Sequence, residues 1–452
     1  MSGTWGRDAV FYHIYPLGFG GAPKVNDEGP QRGDGLRKIE AWLPHIQDLG
    51  CSALLIGPCF ESETHGYDTI DYRRVDRRLG TEEDLEALVQ AAHGRGIRVI
   101  LDAVFNHVGR AFPQFKRLRE QGSGSGCASW FHGVDFSGSS PLGDPFSYTG
   151  WREHYTLVKL NLENPNVTHM LLAAVDDWIN RFDIDGLRLD AADCLDFAFI
   201  RELSAHCRSR KSDFWLLGEV IHGNYRTWVE SGLDSVTNYE LWKGLWSSHV
   251  DGNYFELAHS LRRQFAPGGI YEGLGLYNFA DNHDVDRIAS LLGDSFLLYP
   301  HAILLYSVPG IPSLYYGSEW GLEGRKEGGD DRPLRPALDL ASLRRSAPEP
   351  GLAPVLARLA AIRKDHRALR FGEYRQCAVA ARQFAFERRT EAERIIVAVN
   401  AEQDPRDLVL PVEAPGRHRL RDLLNPGYAI DLVDGMARLR LDPSWGRILL
   451  LE

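Results

Sequence analysis

The chain has 452 residues, 44% apolar and 25% charged, values of a soluble protein with a sizeable core and more than one structural unit. Its 51 basic and 62 acidic side chains leave a net charge of −11, which argues against nucleic acid or an anionic membrane surface as a partner. No apolar run reaches the roughly 18 residues of a membrane span.

The predicted elements alternate from the start. Strands are read at 10–16 (VFYHIYP), 53–59 (ALLIGPC) and 98–105 (RVILDAVF), runs of β-branched and aromatic residues. Between them, Leu36, Ile39, Leu43 and Ile46 keep helical spacing over 34–49, with Gly50 as the stop. Thr81-Glu-Glu-Asp84 is a capping box ahead of Leu85, Leu88 and Val89. From 107 to 159 the alternation breaks into a Gly- and Ser-rich stretch. Its Trp130, Phe131, Phe136, Phe146, Tyr148, Trp151 and Tyr155 favour a folded insertion over a linker. Helix 167–182, strand 186–191 (GLRLDA), helix 195–207, strands 214–220 (FWLLGEV) and 235–239, and helix 254–265 follow. Strand 275–280, helix 296–307, strand 313–316 and helix 353–364 complete the series. Beyond about 371 only short strands are read, at 377–381, 383–387, 394–400, 407–411, 437–441 and 447–451. The pattern predicts an α/β fold: a (β/α)₈ TIM barrel of residues 1–106 and 160–366. A subdomain of 107–159 is inserted after strand 3, and a C-terminal all-β sandwich covers 367–452.

In such a barrel, catalytic groups stand at the C-terminal ends of strands, and a charge inside a strand needs a reason. Arg188 and Asp190 are two residues apart and therefore point to the same side of strand 4. On the lumen side an unpaired charge is costly. One such pair alone would read as a structural salt bridge. Here four strands bring Asp102, His107, Arg188, Asp190, Glu219, His283 and Asp284 to one rim, which points to a site. No Gly-rich phosphate loop, serine elbow or H-E-x-x-H motif accompanies them, so no cofactor is expected. Paired carboxylates without a cofactor suit glycoside cleavage, in which one protonates the leaving oxygen and the other works at the anomeric carbon. Eleven Trp and seventeen Tyr offer aromatic faces of the kind sugar rings pack against. The six cysteines form no C-x-x-C pair, and Met1 to Arg7 lack the pattern of a secretory leader; reduced thiols and a cytoplasmic location are expected.

DAVFNH at 102–107, GLRLDAAD at 186–193, LLGEV at 216–220 and FADNHD at 279–284 resemble, in order and spacing, four short blocks of the α-amylase family of glycoside hydrolases. KLNLENP at 159–165 and GIPSLYYGSE at 310–319 resemble two more. The resemblance implies Asp190 as nucleophile, Glu219 as general acid/base and Asp284 as the third carboxylate. It further implies that Arg188 orients Asp190 and pairs with Asp102, and that His107 and His283 bond sugar hydroxyls. Tyr67 would stack under the sugar, His222 would line the acceptor side, and Arg287 is counted among the substrate contacts. Lys159-Leu-Asn161 and Glu219-Val-Ile-His222 are similar to the neopullulanase, cyclomaltodextrinase and maltogenic amylase group. Cys194 departs from the His or Glu common four residues after the nucleophile.

The activity implied is retaining hydrolysis of α-1,4 bonds in malto-oligosaccharides, with cyclodextrins, starch or pullulan as further substrates. The same machinery also serves transglycosylases and isomerising enzymes. A barrel turned into an inert binding module would have lost one of the three carboxylates, and all three are present. Members of the subgroup dimerise through an N-terminal β domain; this sequence begins at strand 1, so a monomer is expected. Asn106 stands where many members hold calcium, but the insertion adds only Asp135 and Asp144, and no metal is expected.

Overall fold

The computed structural model describes residues 5–452 apart from 28, 30–32, 414, 415 and 417. Eight parallel strands form its centre: β1 (Phe11–Ile14), β2 (Ala53–Ile56), β3 (Arg98–Ala103), β4 (Gly186–Leu189), β5 (Trp215–Gly218), β6 (Ser235–Val236), β7 (Tyr277–Phe279) and β8 (Ile311–Tyr315). Their hydrogen-bonded order is β6-β5-β4-β3-β2-β1-β8-β7. A parallel bridge between Thr237 and Tyr277, with the Asn238 N–H donating to the Tyr277 carbonyl at 2.9 Å, joins the two ends into a barrel. Every strand overlaps a segment read from the sequence.

Residue parity sorts the barrel into two cores. Phe11, Leu55, Ile100, Trp215, Leu217, Tyr277 and Phe279 fill the lumen. Their neighbours Tyr12, Leu54, Leu101, Leu187, Leu189 and Leu216 face the surrounding helices. Asp102 shares the inward parity of Ile100, and Arg188 falls between the two outward leucines of β4, so both charges point into the mouth.

The helices Gly35–Asp48, Glu82–His93, Pro165–Phe182, Phe197–Arg210, Tyr254–Phe265, Leu298–Ser307 and Leu352–Asp365 answer to the helical patterns in the sequence. At Thr81 the capping box is complete: its Oγ accepts from the Asp84 N–H at 3.2 Å, and its own N–H donates to the Asp84 carboxylate at 2.9 Å. Helix Tyr239–Val250 was not foreseen. Tyr239, which reads as the end of a strand, instead starts a helix at Asn238, whose side chain caps the Leu241 N–H at 3.1 Å. Among the described residues no helix is long and apolar enough to cross a membrane.

The segment after β3 folds on its own aromatic residues. Phe115, from helix Pro113–Gln121, meets Phe131, Phe146 and Tyr148 at ring distances of 5.1, 6.0 and 4.9 Å. A three-stranded antiparallel sheet of His107–Val108, His154–Lys159 and Gly150–Trp151 ties the segment back to the barrel mouth. Asp144 clamps it from within. Its two oxygens take both Arg110 terminal nitrogens at 2.8 Å, and Arg119 adds a third contact at 3.1 Å.

The C-terminal strands are β9 (Glu373–Val379), β10 (Gln383–Arg389), β11 (Arg394–Asn400), β12 (Arg406–Pro411), β13 (Arg419–Asp422), β14 (Ala429–Asp431), β15 (Met436–Leu441) and β16 (Trp445–Leu451). Six make one antiparallel sheet in the order β9-β10-β11-β16-β13-β14, and β12 pairs with β15 as a ribbon. The sandwich is therefore lopsided. One face of the large sheet (Ala385, Ile396, Ala398, Leu449) meets the ribbon residues Leu410, Ala437 and Leu439. The other face (Phe384, Phe386, Ile395, Val397, Val399) belongs to the same core as the barrel helices. Alternation along β10 and β11 thus serves two cores at once.

Candidate active site

Four strand ends and three loops enclose a cavity of about 630 Å³, within the range of small-ligand clefts. Asp190 and Glu219 follow directly on β4 and β5, each held by a backbone bond from its own N–H to the neighbouring strand: Asp190 to Ala103 at 3.1 Å, Glu219 to Leu189 at 2.9 Å. Asp284 stands in the turn after β7, where the Asn282 side chain accepts the Asp284 and Val285 N–H groups at 2.8 and 3.2 Å. All three carboxylates line the cavity, together with Tyr67, His107, Trp151, Tyr239, Trp242 and Arg335.

Behind them one guanidinium organises the charges. Arg188 pairs with Asp102, reaches Asp190 Oδ1 at 3.4 Å, and places Nη2 2.9 Å from Glu219 Oε2. Ala191, with φ of 45°, turns its N–H toward the same Glu219 oxygen at 3.1 Å. A left-handed alanine costs about 1–2 kcal/mol, a strain concentrated at the residue that follows the expected nucleophile. Glu219 Oε2 therefore has two donors, whereas among the described residues Oε1 has only the Tyr239 hydroxyl, at 3.4 Å.

Burial, and next the Glu219 charge, push the Asp190 carboxyl well above its usual range, with Arg188 opposing both. Asp284 goes the other way. Burial alone would raise it, but His283 at 2.9 Å and Arg335 at 3.1 Å hold it far below the ordinary carboxylate range. Burial, and secondarily His65, bring His107 down to about 3, so its imidazole is neutral. His107 Nε2, 3.9 Å from Asp190 Oδ2, and Trp151 Nε1 are buried polar atoms without a hydrogen bond to the described residues, and both residues line the cavity. Buried polar groups of this kind want hydrogen bonds, and a hydroxylated ligand supplies them.

The structure sorts the predicted residues into two shells. Asp190, Glu219, Asp284, Tyr67 and His107 reach the cavity. Asp102, Arg188 and His283 lie behind them: the Tyr67 hydroxyl bonds Asp102 at 3.2 Å and also meets His283, whose ring stacks parallel to that of Tyr67. Three expectations of direct sugar contact need correcting, and His283, buried behind Tyr67 and outside the cavity lining, is the first. Arg287 is fully buried behind β8, where it donates to the Tyr316 and Leu334 carbonyls at 2.6 and 2.9 Å and covers the Tyr315 ring at 4.3 Å. His222 is exposed and lies outside the cavity lining, which stops at Ile221.

Sequence reasoning missed Arg335, which donates to the His283 carbonyl at 3.0 Å as well as to Asp284, and lies over the Tyr15 ring. It also missed Tyr239 and Trp242. Tyr239 carried a usable signal, standing where a barrel strand was expected to end.

The calcium question turns on oxygen donors. Asp144 is spent on Arg110 and Arg119, and Asp135 is turned onto Ser137. Among the described residues no group of three His, Cys, Asp or Glu is placed to hold a metal ion.

A family model described as "Alpha amylase, catalytic domain" matches residues 13–347. Cyclomaltodextrinase from a Bacillus species is 31% identical over 421 residues, covering 88% of this chain and 73% of its own. Neopullulanase 2 of Thermoactinomyces vulgaris is 29% identical, covering 98% and 78%. A solved cyclomaltodextrinase superposes with a TM-score of 0.87 at 27% identity, over all of this chain and 79% of that one.

Proposed function

Because the chain belongs to the α-amylase family of glycoside hydrolases, we propose that it cleaves α-1,4 bonds of malto-oligosaccharides with retention of anomeric configuration. The observation that carries this reading is the shared guanidinium: Arg188 holds Asp190 and Glu219 in one buried cluster at the barrel mouth.

The bonding pattern supports a division of labour. Glu219 Oε2 is occupied by Arg188 and the Ala191 N–H, so the proton belongs on Oε1, from which it passes to the leaving glycosidic oxygen. Asp190, in its ionised form, attacks the anomeric carbon; a glycosyl ester forms and the leaving sugar departs with the Glu219 proton. Glu219, now a base, takes a proton from water, which displaces Asp190 and restores the original configuration. Asp284, fixed by His283 and Arg335, stays anionic beside the developing positive charge of the sugar ring. Five carboxylates and three cations line the cavity among the described residues, an acidic balance that suits a neutral sugar and disfavours a phosphorylated one.

The substrates favoured are short linear or cyclic α-glucans over soluble starch, acted on by a cytoplasmic monomer. The names of the relatives support the substrate class, and Bacillus subtilis has a relative named intracellular maltogenic amylase. Proton NMR of maltotriose hydrolysis in its first minutes tests the mechanism: the α-anomer is expected first, and initial β-anomer would exclude retention. Light scattering is expected to return the 50.8 kDa of one chain.

A further inference from the structure

The hairpin that closes the inserted segment has an unusual turn. Its two-residue loop, Arg152-Glu153, puts both residues in the left-handed region, with φ of 46° and 67°. Tight hairpins of this kind ordinarily use Asn-Gly or Asp-Gly, because in the left-handed region a Cβ crowds the following carbonyl oxygen and Gly, Asn and Asp tolerate it best. Strain held in place by its surroundings is a pointer to function, and the effect of this turn is to position Arg152.

Arg152 lies over the Trp151 ring at 5.1 Å and sets Nη2 3.1 Å from Asp193 Oδ2. Asp193 sits three residues after Asp190, in the short turn Ala192–Cys194 that follows β4. Both partners line the cavity, so their bond ties the inserted segment to the loop after β4 beside the reacting carboxylates. Lys326, Asp331 and Arg335, from the loop after β8, line the same cavity. In the closed strand order β4 and β8 are four positions apart, so these loops face each other across the barrel mouth. A glucan laid from one to the other meets the Arg152–Asp193 bond at the β4 end.

We propose that the Arg152–Asp193 ion pair is a strap that sets substrate length: fastened, it admits short oligosaccharides, and a long chain passes only when it opens. This rests on the reading of the cavity as an α-glucan site. The strap is weak enough to open, since Arg152 keeps 47% of its side chain exposed and Asp193 keeps 15%. Trp151, next to it, offers a buried indole N–H with no protein partner, a donor for a sugar hydroxyl arriving at that end.

The test compares kcat/KM on soluble starch with kcat/KM on maltotriose for the wild type, Arg152→Ala, Asp193→Asn, and the exchange of Arg152→Asp with Asp193→Arg. Each single substitution is expected to raise the starch-to-maltotriose ratio about three- to fivefold, the scale of one exposed ion pair, and the exchange to bring it back toward wild type. Raising NaCl from about 20 mM to about 500 mM should increase the ratio in the wild type, by screening, and leave Arg152→Ala unmoved. An unchanged ratio in both single variants overturns the strap, as does an equal loss on both substrates or an identical salt response in wild type and variant. If the wild type cleaves neither glucan, the reading of the cavity itself fails; wild-type turnover with an unmoved ratio fails the strap alone.

Discussion

Replacing Arg188 by Met removes the cation that Asp102, Asp190 and Glu219 share, at almost constant volume. Contacts of 2.9–3.4 Å between buried charges are individually strong, but much of that attraction offsets the cost of burying the guanidinium. The variant has a cheaper route than keeping three bare carboxylates: it takes up a proton. Protonating one aspartate near pH 7 costs about 1.36 kcal/mol for each unit above its ordinary value of about 3.9, or about 4 kcal/mol. That agrees with the roughly 3–5 kcal/mol lost when a buried pair is broken. A folded acid with a raised pKa is stabilising below its unfolded value and loses that contribution as pH rises through the folded value. The deficit should therefore shrink on acidification, from about 4 kcal/mol near pH 7 to about 1.5 kcal/mol near pH 5, a slope of one proton. Urea unfolding of wild type and Arg188→Met across that range measures it. A deficit that does not change with pH, or one below about 1 kcal/mol at neutrality, would refute the shared-cation account.

Asp190→Asn should leave the fold intact and lower kcat by at least about a thousandfold, since an amide cannot form the glycosyl ester; retention of more than about a tenth of the rate would exclude it as nucleophile. Glu219→Gln should abolish cleavage of ordinary glucans yet keep appreciable turnover of a glycosyl fluoride, whose leaving group needs little protonation; equal losses on both would assign Glu219 another role. Burial alone would raise Asp144, but Arg110, Ser140 and Arg119 bring it down to about 2. Its contribution, up to about 2 kcal/mol, is present above the ordinary carboxylate value and lost as pH falls through about 2. Asp144→Asn should thus be less stable at neutral pH and converge on the wild type in acid, as urea midpoints would show.

What the sequence disclosed followed from where charges are tolerated. Asp102, Arg188 and Asp190 interrupt apolar strands, and only a barrel mouth gives them a common place, so their convergence was legible before any coordinates. Loop residues carry no such periodicity. Arg335 lies in a charged stretch after β8 whose course nothing in the sequence determines, and so its grip on Asp284 was invisible. Arg287 shows the opposite error. It stands three residues from Asp284, but the chain turns inward at that point, and carbonyls behind β8 take its donors before any sugar can. The C-terminal strands β13 and β14, only four and three residues long, leave too short a pattern to read.

The double-faced strands of the C-terminal sheet make this protein indivisible. Phe384, Phe386, Val397 and Val399 are interior residues of the catalytic half, and Arg388 reaches from β10 to donate to the Ser307 and Leu369 carbonyls at 2.7 and 3.0 Å. Truncation at the end of the barrel would strip helix Leu298–Ser307 of its cover and leave an apolar surface prone to association. Denaturation is therefore expected to take both halves in one cooperative step, and a chimera that borrows this sheet from a relative should need a matching helix Leu298–Ser307 with it.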